Sequence, residues 1–473
     1  MHMSSKNLKK IFISIALIYT ALVVSFYFLG GDQIRYRASA GNIEMPDANA
    51  VTDEIIAGKI ISQDFVNKIE HIEKMEIVFT KFYRDSSGII SVSLYDGNTA
   101  LVRNTMKLSE VPEQSRVYLI PEEPLTGLKG KTLTIKIYTT AKVNHGVAAM
   151  MRKDNTGHVN MNGTDVAGTL CFSLTGYDDN PFGEYYWQIV GTIGVLLGIM
   201  LIASYRLYLK GRYTYIVSAI AAVYRYEFLI SQLVIRDFKS KYKRSILGVF
   251  WSFLNPLLTM TVQFLVFSTF FKANTQNYPV YLLSGVVCFS FFNECTTMCL
   301  TSISGNSRLI TKVYIPKYIF PLARTISSSV NLAISLVPLF LACLVLGVAI
   351  RPQALLFFYF LVCLIVFSLG IGLFLSALMV FFRDIQFLWT VLIQIWQYAT
   401  PIFYPAEIVP EKYRFILRFN PLYHFIGNAR TCLIDGISPE PRAYIFCFIF
   451  ALVSILIGSF TFKKTQDKFA LYL

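Results

Sequence analysis

The sequence predicts an α-helical polytopic membrane protein of eight spans, grouped two plus six, with an all-β domain inserted between the first two. Three observations carry this reading. Of the 473 residues, 54% are hydrophobic and only 15% are charged, outside the balance of soluble domains. Apolar runs of about 20 residues, the length that crosses a hydrocarbon core, recur along the chain. Between the first two runs the pattern changes to the alternation of strands.

The runs cover residues 11–29, 187–209, 247–271, 279–300, 321–350, 355–382, 386–403 and 443–462. A net charge of +14 would suit a nucleic-acid partner, but the cations gather at the ends of these runs and so report topology instead. Lys6, Lys9 and Lys10 precede the first run, Arg206, Lys210 and Arg212 follow the second, and Arg236, Lys239, Lys241, Lys243 and Arg244 precede the third. Arg308, Lys312, Lys317, Arg383, Lys463, Lys464 and Lys468 fall on the same side. By the positive-inside rule that side is cytoplasmic, with both termini on it. A cleavable signal peptide competes for the first run, since Ala38-Ser39-Ala40 resembles a cleavage site. The site lies too far beyond a run that is too long, and an anchor is expected.

Residues 31–185 alternate strand-like segments with turns. Met75–Phe79 and Ile89–Tyr95 are two such segments, Asp96-Gly97 is a hairpin signal, and Thr132–Tyr138 alternates with one apolar face. A jelly-roll-like sandwich fits best. Residues 225–246 read as an amphipathic surface helix, with Leu229, Leu233, Phe238, Tyr242 and Ile246 on one side and Lys239, Lys243 and Arg244 on the other. Attraction of that basic side to anionic lipid is a physically sufficient reason for it.

Few residues carry a pattern that points to chemistry. The nearest approach to a phosphate loop, Gly130-Lys131-Thr132, lacks its leading glycine, since position 125 is Leu125; it reads as a strand-edge turn. Five histidines, His2, His71, His145, His158 and His424, are scattered. Seven of the eight cysteines fall in or beside apolar runs; Cys295 and Cys299 share a helix face, where thiols pack well between helices. No metal or cofactor is expected on this chain. Asp384 follows Arg383, as a local ion pair would. Glu294 sits inside a span beside the aromatic run Phe289–Phe292, where a carboxylate needs a partner or water. Hydrogen bonding between helices and contact with a substrate both remain open for it.

From the surface helix onward the chain resembles a family. Arg236-Asp237-Phe238-Lys239, Tyr242-Lys243, Leu247-Gly248-Val249-Phe250-Trp251 and Asn255-Pro256 are followed by Asn306, Leu309-Ile310, Lys312-Val313, Pro316 and Pro321. Then come Phe382-Arg383-Asp384, Thr400-Pro401-Ile402-Phe403-Tyr404-Pro405, Asn420-Pro421 and Arg430. In this order, over about 225–463, they resemble ABC-2 type permeases that export teichoic acids, O-antigens and related glycans.

The resemblance implies a half-transporter and not an enzyme: two copies of this chain with two copies of a separate ATPase, which holds ATP and Mg, moving a lipid-linked glycan out across the bacterial plasma membrane. It implies coupling to the ATPase through Arg236, Asp237, Asn306, Arg308, Leu309, Lys312, Tyr314, Pro316 and Lys317. It also implies paired re-entrant gate helices over 401–441, with Glu294, Tyr398, Phe403, Tyr404, Asn420, Tyr423, Phe425 and Arg430 as channel or gate residues. The aromatic residues suit stacking on sugar rings and an interfacial belt equally.

The chain then divides into an N-terminus and first anchor (1–30), a β-sandwich (31–185) outside the cell, a second anchor (186–210), an interface-helix region (211–246), a six-span core (247–463) and a cytoplasmic tail (464–473). The first 210 residues depart from the family pattern. Their β-domain would bind glycan, recruit a partner or brace the dimer. An exporter of another lipid or amphiphile and a membrane-anchored glycan receptor are the alternatives. A receptor has no need of six further spans, and a membrane glycosyltransferase would need an acidic pair that is not visible.

Overall fold

The computed structural model describes residues 4–81, 84–111, 115–153, 157–243, 246–248, 250–271, 277–313 and 315–472. Two compact units emerge: Ile34–Tyr185, and a helical unit of Met1–Gln33 with Tyr186–Leu473.

The first unit is built from β1 (Tyr36–Ala38), β2 (Ala50–Val51), β3 (Ile60–Val66), β4 (His71–Thr80), β5 (Ile89–Asp96), β6 (Thr99–Lys107), β7 (Ser115–Leu119), β8 (Thr132–Thr139), β9 (Ala148–Arg152), β10 (His158–Met161), β11 (Thr164–Ala167), β12 (Thr169–Leu170) and β13 (Phe172–Asp179). One antiparallel sheet runs β1-β13-β4-β9-β12, with β2 on β9 and β7 on β4; the other runs β11-β10-β3-β8-β5-β6. The alternation of β8 has the expected effect. Leu133, Ile135 and Ile137 are buried, while Thr134, Lys136 and Tyr138 face outward. They meet Met75, Ile77 and Phe79 of the other sheet in one core, where each large side chain contributes roughly 1.5–3 kcal/mol on burial.

The chain crosses between the sheets at most connections, β3 to β4, β4 to β5, β6 to β7, β7 to β8 and β8 to β9 among them. That is jelly-roll connectivity. Asp96-Gly97 turns β5 into β6, with Gly97 at φ +58°. Gly130, at φ +82°, turns the chain into β8, and Lys131 Nζ pairs with Asp96 at 2.8 Å, the role of a strand-edge turn.

In the helical unit, α1 is Ser5–Leu29, α2 Tyr186–Leu209, α3 Tyr215–Arg225, α4 Glu227–Tyr242, α5 Phe250–Phe271, α6 Tyr278–Leu300, α7 Ser307–Lys312, α8 Ile319–Val345, α9 Phe357–Phe381, α10 Ile385–Ala399, α11 Glu411–Arg418, α12 Pro421–Arg430 and α13 Pro441–Thr465. Among the described residues seven helices are long and apolar enough to span a membrane, namely α1, α2, α5, α6, α8, α9 with its leading turn, and α13.

The eighth expected span, 386–403, holds α10, whose 15 residues reach about 22 Å, shorter than a hydrocarbon core of about 30 Å. The helix ends at Thr400 because Pro401 cannot continue it. The broken stretch expected over 401–441 follows as α11, α12, a π-turn at Thr431–Asp435 and Gly436 at φ +64°.

The expected amphipathic helix over 225–246 is interrupted at Tyr226, which separates α3 from α4. Its buried stripe is Ile230, Leu233 and Asp237, packed with Phe320 and Ala323 of α8 and Leu373 of α9. Ile246, expected on the apolar face, lies beyond the helix and is fully exposed. The side chain of Tyr242 lies outside the described residues. Helix α9 crosses α13 at Gly370 and Gly458; a Cβ on Gly458 would come within 2.1 Å of the Gly370 carbonyl oxygen. Ser454 Oγ donates to the carbonyl of Phe367 at 2.8 Å in the same crossing. Small residues of this kind let helices approach closely in lipid.

Candidate functional site

Among the described residues, two polar networks organise the helical unit. The first joins α4 to α8. Asp237 leaves the i, i+3 apolar rhythm of α4 and turns inward, where its carboxylate meets Arg324 Nη1 of α8 at 2.7 Å and Arg236 Nη2 at 3.2 Å. Only 4% of the Asp237 side chain is exposed. Arg236 Nη1 donates to Asn306 Oδ1 at 3.2 Å, and Asn306 Nδ2 donates to the Ser302 carbonyl at 2.7 Å. A carboxylate this deep is stable only while its guanidinium partners stay, because an unpaired buried charge costs about 3–5 kcal/mol. The network therefore fixes α4 against α8 and against the turn that starts α7.

On α7, Leu309 and Ile310 pack on the cluster around Phe320, while Arg308 and Lys312 stand exposed. Pro316 ends the segment, half-buried. Lys317 turns back into the chain. Its Nζ donates to the carbonyl of Gln466 and lies 5.6 Å from the ring centroid of Phe469. Tyr314 lies outside the described residues. Of the proposed coupling residues, Arg236, Asp237 and Asn306 are thus brought together, Arg308 and Lys312 are presented outward, and Lys317 ties down the C-terminal segment. Arg324 was missed. A cation one turn inside an apolar run was the signal for it, because such a charge requires an acid nearby.

The second network surrounds Arg430 at the end of α12. Its Nη1 donates to the Pro401 carbonyl at 2.7 Å and Nη2 to the carbonyls of Tyr281 and Ile402, both at 2.9 Å. Nε reaches Ser284 Oγ at 3.3 Å, and the guanidinium lies 3.5 Å from the Tyr281 ring centroid. Such stacking adds to the charge-assisted bonds. Tyr278 OH donates to the Phe403 carbonyl at 2.6 Å and Tyr281 OH to that of Tyr404 at 3.0 Å. The chain after α10 thus has its backbone acceptors satisfied by side chains of α6 and α12, as irregular backbone in a membrane protein requires.

Asn420 caps α12 by accepting from the Leu422 amide at 3.1 Å, accepts from Trp396 Nε1 at 2.9 Å and donates to Thr400 Oγ1 at 2.9 Å. Gly285 makes room for the guanidinium, since a Cβ there would lie 2.3 Å from Nη2. Sequence reading had no signal for that glycine.

Phe403 and Phe425 are core residues, stacked on Phe267 and packed on Phe367. Tyr398 is exposed, Tyr404 is half-buried with its hydroxyl on the Tyr398 carbonyl, and Tyr423 lines a cavity of about 1080 Å³ shared with Arg418, His424, Asn428 and Asp435. Glu294 does not join this group. It accepts from Lys241 Nζ at 2.8 Å and from Asn331 Nδ2 of α8 at 2.6 Å.

Comparison with known proteins gives these networks a context. Residues 229–434 match the ABC-2 type transporter family, a segment that runs from α4 to the π-turn after Arg430. The chain is 27% identical over 253 residues to the O-antigen export system permease protein RfbA of Klebsiella pneumoniae, covering 52% of this chain and 96% of that protein. It is 28% identical over 254 residues to the protein of the same name from Myxococcus xanthus, with 52% and 96% covered. To the polysialic acid transport protein KpsM of Escherichia coli it is 23% identical over 245 residues, covering 50% and 93%. The β-unit, α1 and α2 precede the matched segment. This is a multi-pass membrane protein that is similar, over residues 229–434, to ABC-2 type transporters.

Proposed function

We propose that this chain is the membrane subunit of an ATP-driven exporter of a lipid-linked cell-surface polysaccharide in the bacterial inner membrane. It works as a pair of copies, with two copies of a separate ATPase that binds ATP and Mg. The end of the helical unit that carries the basic flanks is cytoplasmic, and residues 34–185 lie outside the cell. The turn held by Arg430 closes the outer end of the passage.

One observation carries the mechanism. The Arg236–Asp237–Arg324 group, closed on the buried Asp237 carboxylate and joined to Asn306, ties the interface helix α4 and the base of α7 to the spanning helix α8. A displacement of α7 by an ATPase would reach α8 as a rigid movement instead of being lost in a loop. Arg308 and Lys312, exposed beside the half-buried Leu309, are the groups left to meet acidic sites on that partner. Lys317, held by Gln466 and Phe469, serves the chain's own packing.

The test is the double charge reversal R308E/K312E in the full exporter. Surface glycan is expected to fall at least about tenfold, the effect of roughly 1.4 kcal/mol of lost coupling, while the protein remains inserted and the ATPase still turns over. Normal glycan export by the double variant would overturn the coupling role.

A further inference from the structure

Helices α5, α6 and α8 line a second, half-open cavity of about 320 Å³, with polar side chains in its walls, that none of the roles above uses. Its walls are unusual for spanning helices. Pro256 of α5 has no N–H to give the carbonyl of Ser252 four residues back, and Ser335 Oγ of α8 donates to that carbonyl at 3.3 Å. Glu294, six residues before the end of α6 and so about 9 Å inside it, is neutralised in place by Lys241 and Asn331. Asn255 and Ser290 also line the space, yet neither side chain makes a hydrogen bond to any described residue. An amide and a hydroxyl are thereby offered to the cavity. Polar groups in spanning segments are expensive and mark function more often than packing.

The chemistry of the walls selects the ligand. Lys241 and Glu294 compensate one another, so no charge remains for an ion. What remains is a set of donors and acceptors suited to vicinal hydroxyls, beside the Trp251 indole, 45% exposed, whose face suits the C–H side of a ring. The volume lies at the small end of ligand cavities, about 300–1,000 Å³, enough for one ring and not for a chain. We infer that this cavity receives one neutral sugar ring of the lipid-linked substrate, with Asn255 and Ser290 bonding its hydroxyls and Trp251 forming its wall. The inference rests on the polysaccharide-export reading. Because Lys241 belongs to α4, the occupant touches a residue of the same helix that Asp237 locks to α8.

The experiment uses the full chain in lipid nanodiscs and two probes, a polyprenyl diphosphate carrying one N-acetylhexosamine and the same polyprenyl diphosphate without sugar. The sugar-bearing probe is expected to bind about tenfold more tightly, the effect of one or two net hydrogen bonds. Ser290→Leu, which fills the cavity, and Asn255→Leu, which removes the amide at nearly constant volume, should each bring the ratio close to one without changing sugar-free binding. Both positions are exposed, so at least one variant should fold, as elution volume would report. Equal affinity for the two probes, no binding of either, or an unchanged ratio in a folded variant overturns the assignment. In cells the two claims separate. If deleting the chain leaves surface glycan intact, the export reading fails; if deletion abolishes it but Ser290→Leu leaves it normal, only the cavity assignment fails.

Discussion

Arg430 Nη1 donates to the carbonyl oxygen of Pro401 at 2.7 Å, holding the turn after α10 to the end of α12. Replacing Arg430 with Leu would strip the carbonyls of Pro401, Ile402 and Tyr281 of their donor, and each buried acceptor left unmade costs about 1–3 kcal/mol. The variant should lose at least about 3 kcal/mol of stability, read as a lower unfolding temperature in detergent. Arg430→Lys, with one ammonium in place of a planar fork, should recover part of it. An unchanged unfolding temperature in Arg430→Leu would refute the clamp.

Gly285 is coupled to that clamp. A Cβ at this position would overlap Nη2 at 2.3 Å, so Gly285→Ala should destabilise wild type by about 1–3 kcal/mol, the range of overpacked sites. In an Arg430→Leu background the same change should cost little, because the overlapping group has gone. A double-mutant cycle measures the difference; additive effects would show that the glycine serves something else.

At the other network, Asp237→Asn should be among the most damaging single changes, at about 3–5 kcal/mol, because Arg324 would lose its counter-charge inside the unit. The double change Asp237→Leu with Arg324→Met removes both charges and should restore much of the stability, since apolar replacement of a buried pair is often neutral. It should nevertheless fail to restore surface glycan if the pair transmits movement from α4. Glycan display and thermal stability measured on the same two variants separate these effects.

The β-unit offers a pH test. Lys74, hydrogen-bonded to Glu76, holds that carboxyl below its ordinary value of 4.5 against the opposing effect of burial, and Arg116 adds to this from 3.2 Å. A depressed folded-state value means the contribution is complete above about 4.5 and is lost as pH falls through the lower folded value. Both cations are substantially exposed, so the contribution is less than about 1 kcal/mol. Proteolytic susceptibility of the full chain should differ between wild type and Glu76→Gln at about pH 7 and converge at about pH 3. A constant difference across that range would exclude the linkage.

Much of the architecture was legible because it follows from periodicity. The two-residue rhythm of Thr132–Tyr138 became β8, and Asp96-Gly97 became the β5–β6 turn. The apolar runs became spanning helices wherever they were uninterrupted. The helix in the run at 386–403 is shorter than the run for a local reason, Pro401, that hydropathy averages away. The sites were legible by residue type but not by partnership. Arg236, Asp237 and Asn306 share a network whose fourth member, Arg324, sits within a hydrophobic run. Glu294 needed a partner, and the partner proved to be Lys241, 53 positions away on a surface helix. Phe403 and Phe425 look like ring platforms in sequence, yet tertiary packing consumes both faces. Pairing across helices depends on rotation and depth, which a single sequence does not encode locally.

Excision of the β-unit should leave the helical unit intact. Tyr19 OH donates to the Val190 carbonyl and Tyr186 OH to the Val23 carbonyl, each at 2.6 Å, so α1 and α2 hold one another directly. Joining them by a short Gly-Ser linker in place of residues 34–185 should preserve insertion and expression while lowering surface glycan. Unaltered glycan would leave the domain without a part in export.

Tyr36 of β1 pairs with Asp179 of β13, so the domain's two ends stand about 5 Å apart, the width of one antiparallel ladder. The backbone leaves the helical hairpin and returns to it through an opening no wider than a tight turn requires. Such an attachment is a graft: another fold with neighbouring ends could occupy the same point, and loops there would lengthen or shorten at small entropic cost. Selection can therefore exchange what the chain displays on that side while the packing of its membrane helices stays as it is. Diversity among related chains would then gather in the graft, and the membrane helices would change slowly.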